Sequence, residues 1–187
     1  MNLYLKIFLQ FSVRIVPVFA VMFFAVFYYL FDIEVGFMAA SVGIMGGICA
    51  GVLFSLILVT THKISVQRFV DAGYENTESV RQRTSIDLAV PYDQACRLCV
   101  SALKGLSLGR IQEDLPGGVI KVKTRLSWKS FGEIVEMQFT NLGDRETRVR
   151  VRSKPRAPWT IIDYGKNLDN VIRVEAAIRR ASEAQAP

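Results

Sequence analysis

Two long runs without a charged residue constrain this chain more than any other feature. Residues 15–31 are 17 uncharged, mostly large apolar residues, and residues 35–61 are 27 more. A helix that crosses a bilayer needs about 20 apolar residues. We therefore predict two transmembrane helices, at about residues 9–31 and 36–60. The turn between them, at residues 32–34, is short enough to make them antiparallel.

A secretory signal peptide is the competing interpretation of the first run, because Lys6 and Arg14 precede it. The run is long, a second one follows at once, and no small-x-small cleavage site separates them. These features favour a membrane hairpin over a signal peptide.

The charges divide the chain and predict its orientation. Residues 1–61 carry two basic and two acidic side chains, so the formal net charge of +6 belongs to residues 62–187. Basic residues flank the outer ends of both runs, whereas the turn carries only acids, and the positive-inside rule then places both termini in the cytoplasm. We expect a multi-pass protein of a bacterial-type inner (plasma) membrane. The three cysteines fit a reducing compartment better than a disulfide framework.

Small residues recur at every fourth position of the second run and line one face of the predicted helix. Such a stripe lets another helix approach closely in lipid. The partner is either the chain's own first helix or a neighbouring subunit, and the sequence does not decide between them. The predicted packing residues are Ala39, Gly43, Gly47, Gly51 and Ser55.

The rest of the chain predicts a juxtamembrane linker (62–80), an α+β domain (81–182) and a disordered tail (183–187). Alternating apolar residues predict strands at 84–90, 108–113, 119–127, 134–140 and 147–154. Helical periodicity predicts a helix at 91–105 and another at 163–182. We expect one antiparallel sheet covered by helices on one face and open on the other.

The order strand, helix, four strands, helix resembles the TATA-binding-protein-like folds. The closing segment, with VRVRS followed by DYGKN, also resembles uncharacterised bacterial domain families that have an RS dipeptide after the last strand and a D-x-G-x-N helix start. The resemblance covers residues 84–180. It implies a fold and supplies no reaction.

Basic residues alternate along two of the predicted strands and would share the outward face of the sheet. If these strands form a meander, Glu136 and Gln138 of the middle strand lie between the two basic rows. The face is either solvated and partly neutralised by acids or a surface for anionic lipid or an acidic partner. Nucleic acid is not expected, because no aromatic residues are interleaved. The basic residues are Lys121, Lys123, Arg125, Arg148, Arg150, Arg152 and Lys154.

Two further motifs can be explained by packing and helix capping, without a ligand or a reaction. Cys96 and Cys99 form a C-x-x-C motif but fall on the apolar side of their helix, which favours core packing over redox chemistry. The start of the last helix could hold an anion, although a capped helix start explains the same residues. These residues are Asp163, Gly165, Lys166 and Asn167.

No catalytic, metal-binding or cofactor motif is recognisable, and His62 is the only histidine. We therefore expect no enzyme and no cofactor. The sequence favours a non-catalytic accessory or scaffold subunit that docks a membrane partner, or a second copy of itself, through the glycine-rich face. The alternative is a carrier or sensor of a small amphipathic ligand such as a lipid, which would need an apolar cavity between helices and sheet.

Overall fold

The computed structural model describes residues 3–30, 36–77, 79–114, 117–126 and 130–184. The chain divides into two compact units, residues 1–68 and 69–187, which we describe separately. The turn expected at residues 32–34 lies outside the described ranges.

The first unit consists of two helices, α1 (Leu3–Leu30) and α2 (Gly36–Asp71), except that the last three residues of α2 belong to the second unit. Both are long and apolar enough to cross a membrane, judged by length and composition alone. Helix α2 continues through the first ten residues of the predicted linker, because neither glycine nor proline occurs between Gly51 and Gly73. It ends where Gly73 adopts a left-handed conformation, with a φ of 81°.

The glycines of α2 lie against α1. A Cβ atom on Gly43 would lie 3.0 Å from the carbonyl oxygen of Phe23, and one on Gly51 would lie 2.8 Å from the Cα of Val16. The partner's number falls as the glycine's number rises, so the two helices are antiparallel. Ser55 is fully buried and donates a hydrogen bond to the carbonyl oxygen of Gly51 at 2.8 Å.

The chain's own first helix therefore occupies the glycine face, and we withdraw the expectation that this face docks another protein. Backbones this close gain dispersion energy along the whole contact. The side chain of Ala39, the first member of the predicted stripe, lies outside the described residues. A partner in the membrane would have to use the outer surfaces of α1 and α2.

The second unit is an α+β domain with one five-stranded antiparallel sheet, as the sequence predicts. Its helices are α3 (Tyr92–Leu106) and α4 (Lys166–Glu183). The sheet order is β1-β5-β4-β3-β2, so that β3, β4 and β5 form a meander and β1 lies beside β5. The strands are β1 (Gln82–Leu88), β2 (Gly109–Asp114), β3 (Val119–Thr124), β4 (Glu133–Gly143) and β5 (Glu146–Pro155).

Helices α3 and α4 cover one face of the sheet with a closely packed apolar core. Residues that line a cavity large enough for a water molecule have accessible surface inside it. Many core side chains have no accessible surface, so no such cavity lies beside them. The completely buried ones are Ala95, Cys99, Ile120, Val135, Val149, Val151, Val174 and Ile178.

The core is polar at one end of the sheet, where β1 and β4 begin and β3 and β5 end. We call this the entry end, because β1 is the first strand after α2. Glu133 is buried there and accepts a hydrogen bond from Thr124 Oγ1 at 2.5 Å and another from Ser130 Oγ. Ser153 donates to Asn167 Oδ1 of α4 at 2.7 Å. These bonds satisfy Glu133 and Ser153. The buried Asn170 donates to Ser153 Oγ at 3.4 Å, but its Oδ1 accepts no hydrogen bond within the described residues.

Candidate functional site: the basic open face

The face of the sheet that no helix covers carries four cross-strand rows, which follow directly from the register. From the entry end, the first row is Lys154, Ile134, Lys123 and Arg110; the second is Arg83, Arg152, Glu136, Lys121 and Gln112. The third is Ser85, Arg150, Gln138, Val119 and Asp114, and the fourth is Asp87, Arg148 and Thr140.

Six of the seven predicted basic residues lie on this open face. The meander places Glu136 and Gln138 between the basic residues of β3 and those of β5. Arg125 is exposed but follows the end of β3, so it belongs to no row.

The far end of the face is neutralised by an ion pair. Arg148 donates to Asp87 through Nε at 2.7 Å and through a terminal nitrogen at 2.8 Å. The hydrogen bond from Arg148 lowers the pKa of Asp87, and the same bond raises the pKa of Arg148. In the second row, Lys121 Nζ lies 3.7 Å from Glu136 Oε2.

The other cations of the face have no carboxylate partner within the described ranges. In the second row, Arg83 and Arg152 face each other directly across β1 and β5. Like charges directly opposite each other destabilise a sheet. The uncompensated positive charge is therefore concentrated toward the entry end, and its members are Arg83, Arg110, Lys123, Arg150, Arg152 and Lys154.

Arg83 and Arg110 are functional candidates that the sequence reasoning missed. The first strand was predicted to begin at residue 84, whereas β1 begins at Gln82 and includes Arg83. The signal was present, because Arg83, Ser85 and Asp87 alternate with the inward Thr84, Ile86 and Leu88. Arg110 lies on β2, where only Gly109 and Ile111 are partly buried and the other four residues are exposed, so the alternation is short.

Large apolar side chains are exposed in the two loops at the entry end. Phe131, in the β3–β4 loop, is 73% exposed and Trp159, in the β5–α4 loop, is 72% exposed. The loops are joined by a hydrogen bond from Arg156 N to the carbonyl oxygen of Gly132 at 2.9 Å. Leu126 lies within the predicted strand 119–127, where alternation would turn it inward together with Ile120 and Val122. It is exposed, because β3 ends at Thr124 and the alternation stops there.

The start of α4 is capped by its own chain. The buried Asp163 carboxylate accepts hydrogen bonds from the backbone N–H of Gly165 and Asn167, and from Asn167 Nδ2 at 2.8 Å. Lys166 lies 3.6 Å from Asp169. The carboxylate thus occupies the position that an external anion would need, and we assign no anion site here.

The C-x-x-C pair lies in the core. Cys96 and Cys99 are buried, and burial raises the pKa of both thiols, that of Cys99 to about 12. Such thiols are protonated and unreactive near neutral pH. Among the described residues, no group of three His, Cys, Asp or Glu side chains could hold a metal ion.

Comparisons with known proteins find distant structural similarity only. No family model and no curated protein matches the chain. A di-domain ARO/CYC, BexL from the BE-7585A biosynthetic pathway, is 13% identical with a TM-score of 0.37; the match covers 56% of this chain and 44%, less than half, of that structure. The ZhuI aromatase/cyclase from Streptomyces sp. R1128 is 13% identical over 55% of this chain and 90% of its own, with a TM-score of 0.32. A protein from Thermus thermophilus is 11% identical over 57% of this chain and 99% of its own, with a TM-score of 0.34.

The expectation that this chain is not an enzyme is corrected by these neighbours. Proteins named as aromatase/cyclases are among the structures similar to it, so the absence of sequence motifs does not support a non-catalytic role. At this identity and TM-score, the similarity assigns no reaction, substrate or residue to this chain.

Proposed function

We propose that this chain is a membrane-anchored accessory protein whose α+β domain binds an anionic lipid surface through the entry end of its basic open face. The observation that carries the proposal is the position of the uncompensated cations and exposed apolar side chains. Both are concentrated at the end of the sheet that follows the apolar helices in the chain.

The apolar surface of the helix pair supports the proposal that these helices lie in a bilayer. Even with α1 and α2 packed together, large apolar side chains remain exposed along both helices. Exposure of so much apolar surface is unfavourable in water and favourable in lipid. Basic residues at the outer helix ends support, under the positive-inside rule, a cytoplasmic position for both termini. The most exposed apolar side chains include Val13, Val18, Val21, Met45, Leu53 and Ile57.

Chain connectivity keeps the domain near the membrane surface. Only residues 72–81 separate the end of α2 from the start of β1, and ten extended residues span at most about 35 Å. Anionic headgroups are the polyanion closest to such a domain.

The entry end combines the two features that bind an anionic bilayer surface. Aromatic rings such as that of Trp159 favour the headgroup region, where an apolar body and a polar tip are both solvated. Each basic residue near anionic lipid contributes about 1 kcal/mol. The paired Asp87 and Arg148 lie at the opposite end, which would face away from the bilayer.

The proposal is tested with the full chain in lipid nanodiscs. Trp159, isolated in a Trp128→Phe background, reports insertion through quenching by lipids with brominated acyl chains. We expect stronger quenching when phosphatidylglycerol accompanies phosphatidylcholine, and we expect added salt to remove the difference. Absence of quenching in both compositions would contradict the proposal. In that case, co-purification of an acidic protein with the wild type, but not with the Arg83→Gln, Arg152→Gln double variant, would identify a protein, not lipid, as the partner of this face.

The carrier or sensor alternative gains no support from the core. It requires a ligand-sized apolar cavity between helices and sheet. The completely buried side chains leave no such cavity at the centre of the core, and the cavity of about 590 Å³ between α4 and the start of β1 is lined mostly by polar side chains.

A further inference from the structure

We propose that a pocket on the open face at the entry end is a binding site for the phosphate group of an organic phosphate ester. The pocket has a volume of about 220 Å³ and lies where the start of β1 meets β5 and β4. This inference rests on the proposed function, and it specifies the chemical group that the same face binds. The pocket is lined by Arg81, Gln82, Arg83, Ile134, Glu136, Arg152, Ser153 and Lys154.

Four cations surround this small volume, three of them guanidinium groups. Arg83 and Arg152 are direct cross-strand neighbours, and Lys154 is the next outward-facing residue of β5. None of the four has an ion-pair partner within the described ranges. Guanidinium groups donate paired hydrogen bonds to phosphate oxygens, so a bound phosphate would offset the repulsion between opposed arginines.

One carboxylate also lines the pocket, and its charge is already engaged. Glu136 Oε2 lies 3.7 Å from Lys121 Nζ, and its Oε1 accepts a hydrogen bond from Gln138 Nε2 at 3.1 Å. Neither Lys121 nor Gln138 lines the pocket. Glu136 is therefore held by residues on the side away from the four cations, and the lining remains cationic.

The neighbouring space favours an ester over inorganic phosphate. A second cavity of about 460 Å³ shares Arg81, Ile134 and Lys154 with the first. It adds apolar surface and one more cation, from Val80, Pro155, Arg156, Ala157, Pro158 and Thr160. The organic part of an ester, such as the glycerol of a lipid headgroup, would occupy this second cavity while its phosphate meets the arginines.

The test is calorimetric titration of the full chain in an uncharged detergent. The probes are glycerol 3-phosphate, short-chain phosphatidic acid and inorganic phosphate. The pocket variant is Arg83→Gln with Arg152→Gln. The matched control is Lys123→Gln with Arg150→Gln, which removes the same charge from the same face but outside the pocket lining. Unchanged thermal unfolding of both variants shows that the domain is folded.

We expect saturable ester binding that weakens about tenfold or more in the pocket variant and about threefold or less in the control. Phosphatidic acid binding alone identifies a lipid headgroup as the ligand, whereas equal binding of glycerol 3-phosphate identifies a soluble ester. Equal weakening in both variants, no saturable binding, or equal affinity for inorganic phosphate would overturn the site. Quenching of Trp159 in anionic nanodiscs would persist in those cases if the proposed function holds.

Discussion

Arg83 of β1 lies directly opposite Arg152 of β5 on the open face, and the described residues give neither arginine a carboxylate partner. Two rows away, the same pair of strands places Asp87 opposite Arg148, and there the charges form an ion pair. The two ends of one strand pair are thus electrostatically different. The positive charge of the open face is therefore unevenly distributed, and the cations without a carboxylate partner lie toward the entry end.

Removing an exposed aromatic side chain at the entry end should weaken membrane contact. Phe131→Ser removes an apolar surface whose burial is worth about 1.5–3 kcal/mol, so quenching of Trp159 by brominated lipid should fall. Leu142→Ser is the matched control, because Leu142 is exposed near the opposite end of β4. Equal loss of quenching in both variants would contradict an oriented contact.

The ion pair at the far end should be insensitive to pH near neutrality. Since the folded pKa of Asp87 is lowered, its stabilising contribution is present above the ordinary value of 3.8 and is lost as the pH falls through the folded pKa. Asp87→Asn should therefore lower the melting temperature slightly and by the same amount at pH 7 and pH 5. Arg148→Gln should give the same loss, and the double variant no more than either alone. A loss that differs between pH 7 and pH 5 would show that another group controls it.

The sequence predicts the order of the domain's elements because alternation and helical periodicity are local. The basic residues of β3 and β5 also follow from alternation alone. The opposition of Arg83 and Arg152 could not be predicted in this way. These residues are 69 positions apart, and the sequence of neither strand determines that β1 pairs with β5 or in which register.

The partner of the glycine face could not be predicted for a related reason. A stripe of small residues has the same spacing whether the helix in its groove belongs to the same chain or to another. The contacts of Gly43 and Gly51 with α1 decide the question. The exposure of Leu126 likewise depends on where β3 ends, and strand ends are less clearly marked than strand interiors.

The core thiols should resist alkylation. A thiol with a pKa of about 12 carries roughly a thousandfold less thiolate at pH 8 than an ordinary cysteine, so Cys99 should react with iodoacetamide only after unfolding. A cysteine introduced by Ser101→Cys on the exposed side of α3 should react at once. Peptide mass spectrometry distinguishes them. Because the folded pKa is raised, stability should be constant below about pH 8.5 and should fall as the pH rises toward the folded value. Rapid native modification of Cys99 would show that α3 opens readily.

The cap of α4 should matter more than the ion pair in its first turn. Asp163→Ala leaves two backbone N–H groups and the Asn167 amide without their buried acceptor, which should cost about 2 kcal/mol in unfolding free energy. Asp169→Ala removes only the partly exposed pair with Lys166 and should cost about 0.5 kcal/mol or less. Denaturant unfolding of the full chain in detergent compares the two. Similar losses would mean that Asp163 does not hold the helix start.

A side chain at Gly47 should separate the two apolar helices. A Cβ atom there would lie 2.5 Å from the Cα of Ala20 and 2.6 Å from the carbonyl oxygen of Phe19, and both are backbone atoms that cannot turn aside. Gly47→Leu should therefore cost at least about 1–3 kcal/mol and loosen the helix pair. Gly46→Ala is the matched control, because its Cβ would approach only the ring of Phe23, at 3.4 Å. Cross-link trapping between cysteines introduced at Phe19 and Phe54, whose ring centroids lie 5.5 Å apart across the helix pair, measures the contact in nanodiscs without adding a side chain to the glycine face. Wild-type trapping in Gly47→Leu would show that α1 does not lie in the glycine groove, which would return that face to a partner from outside the chain.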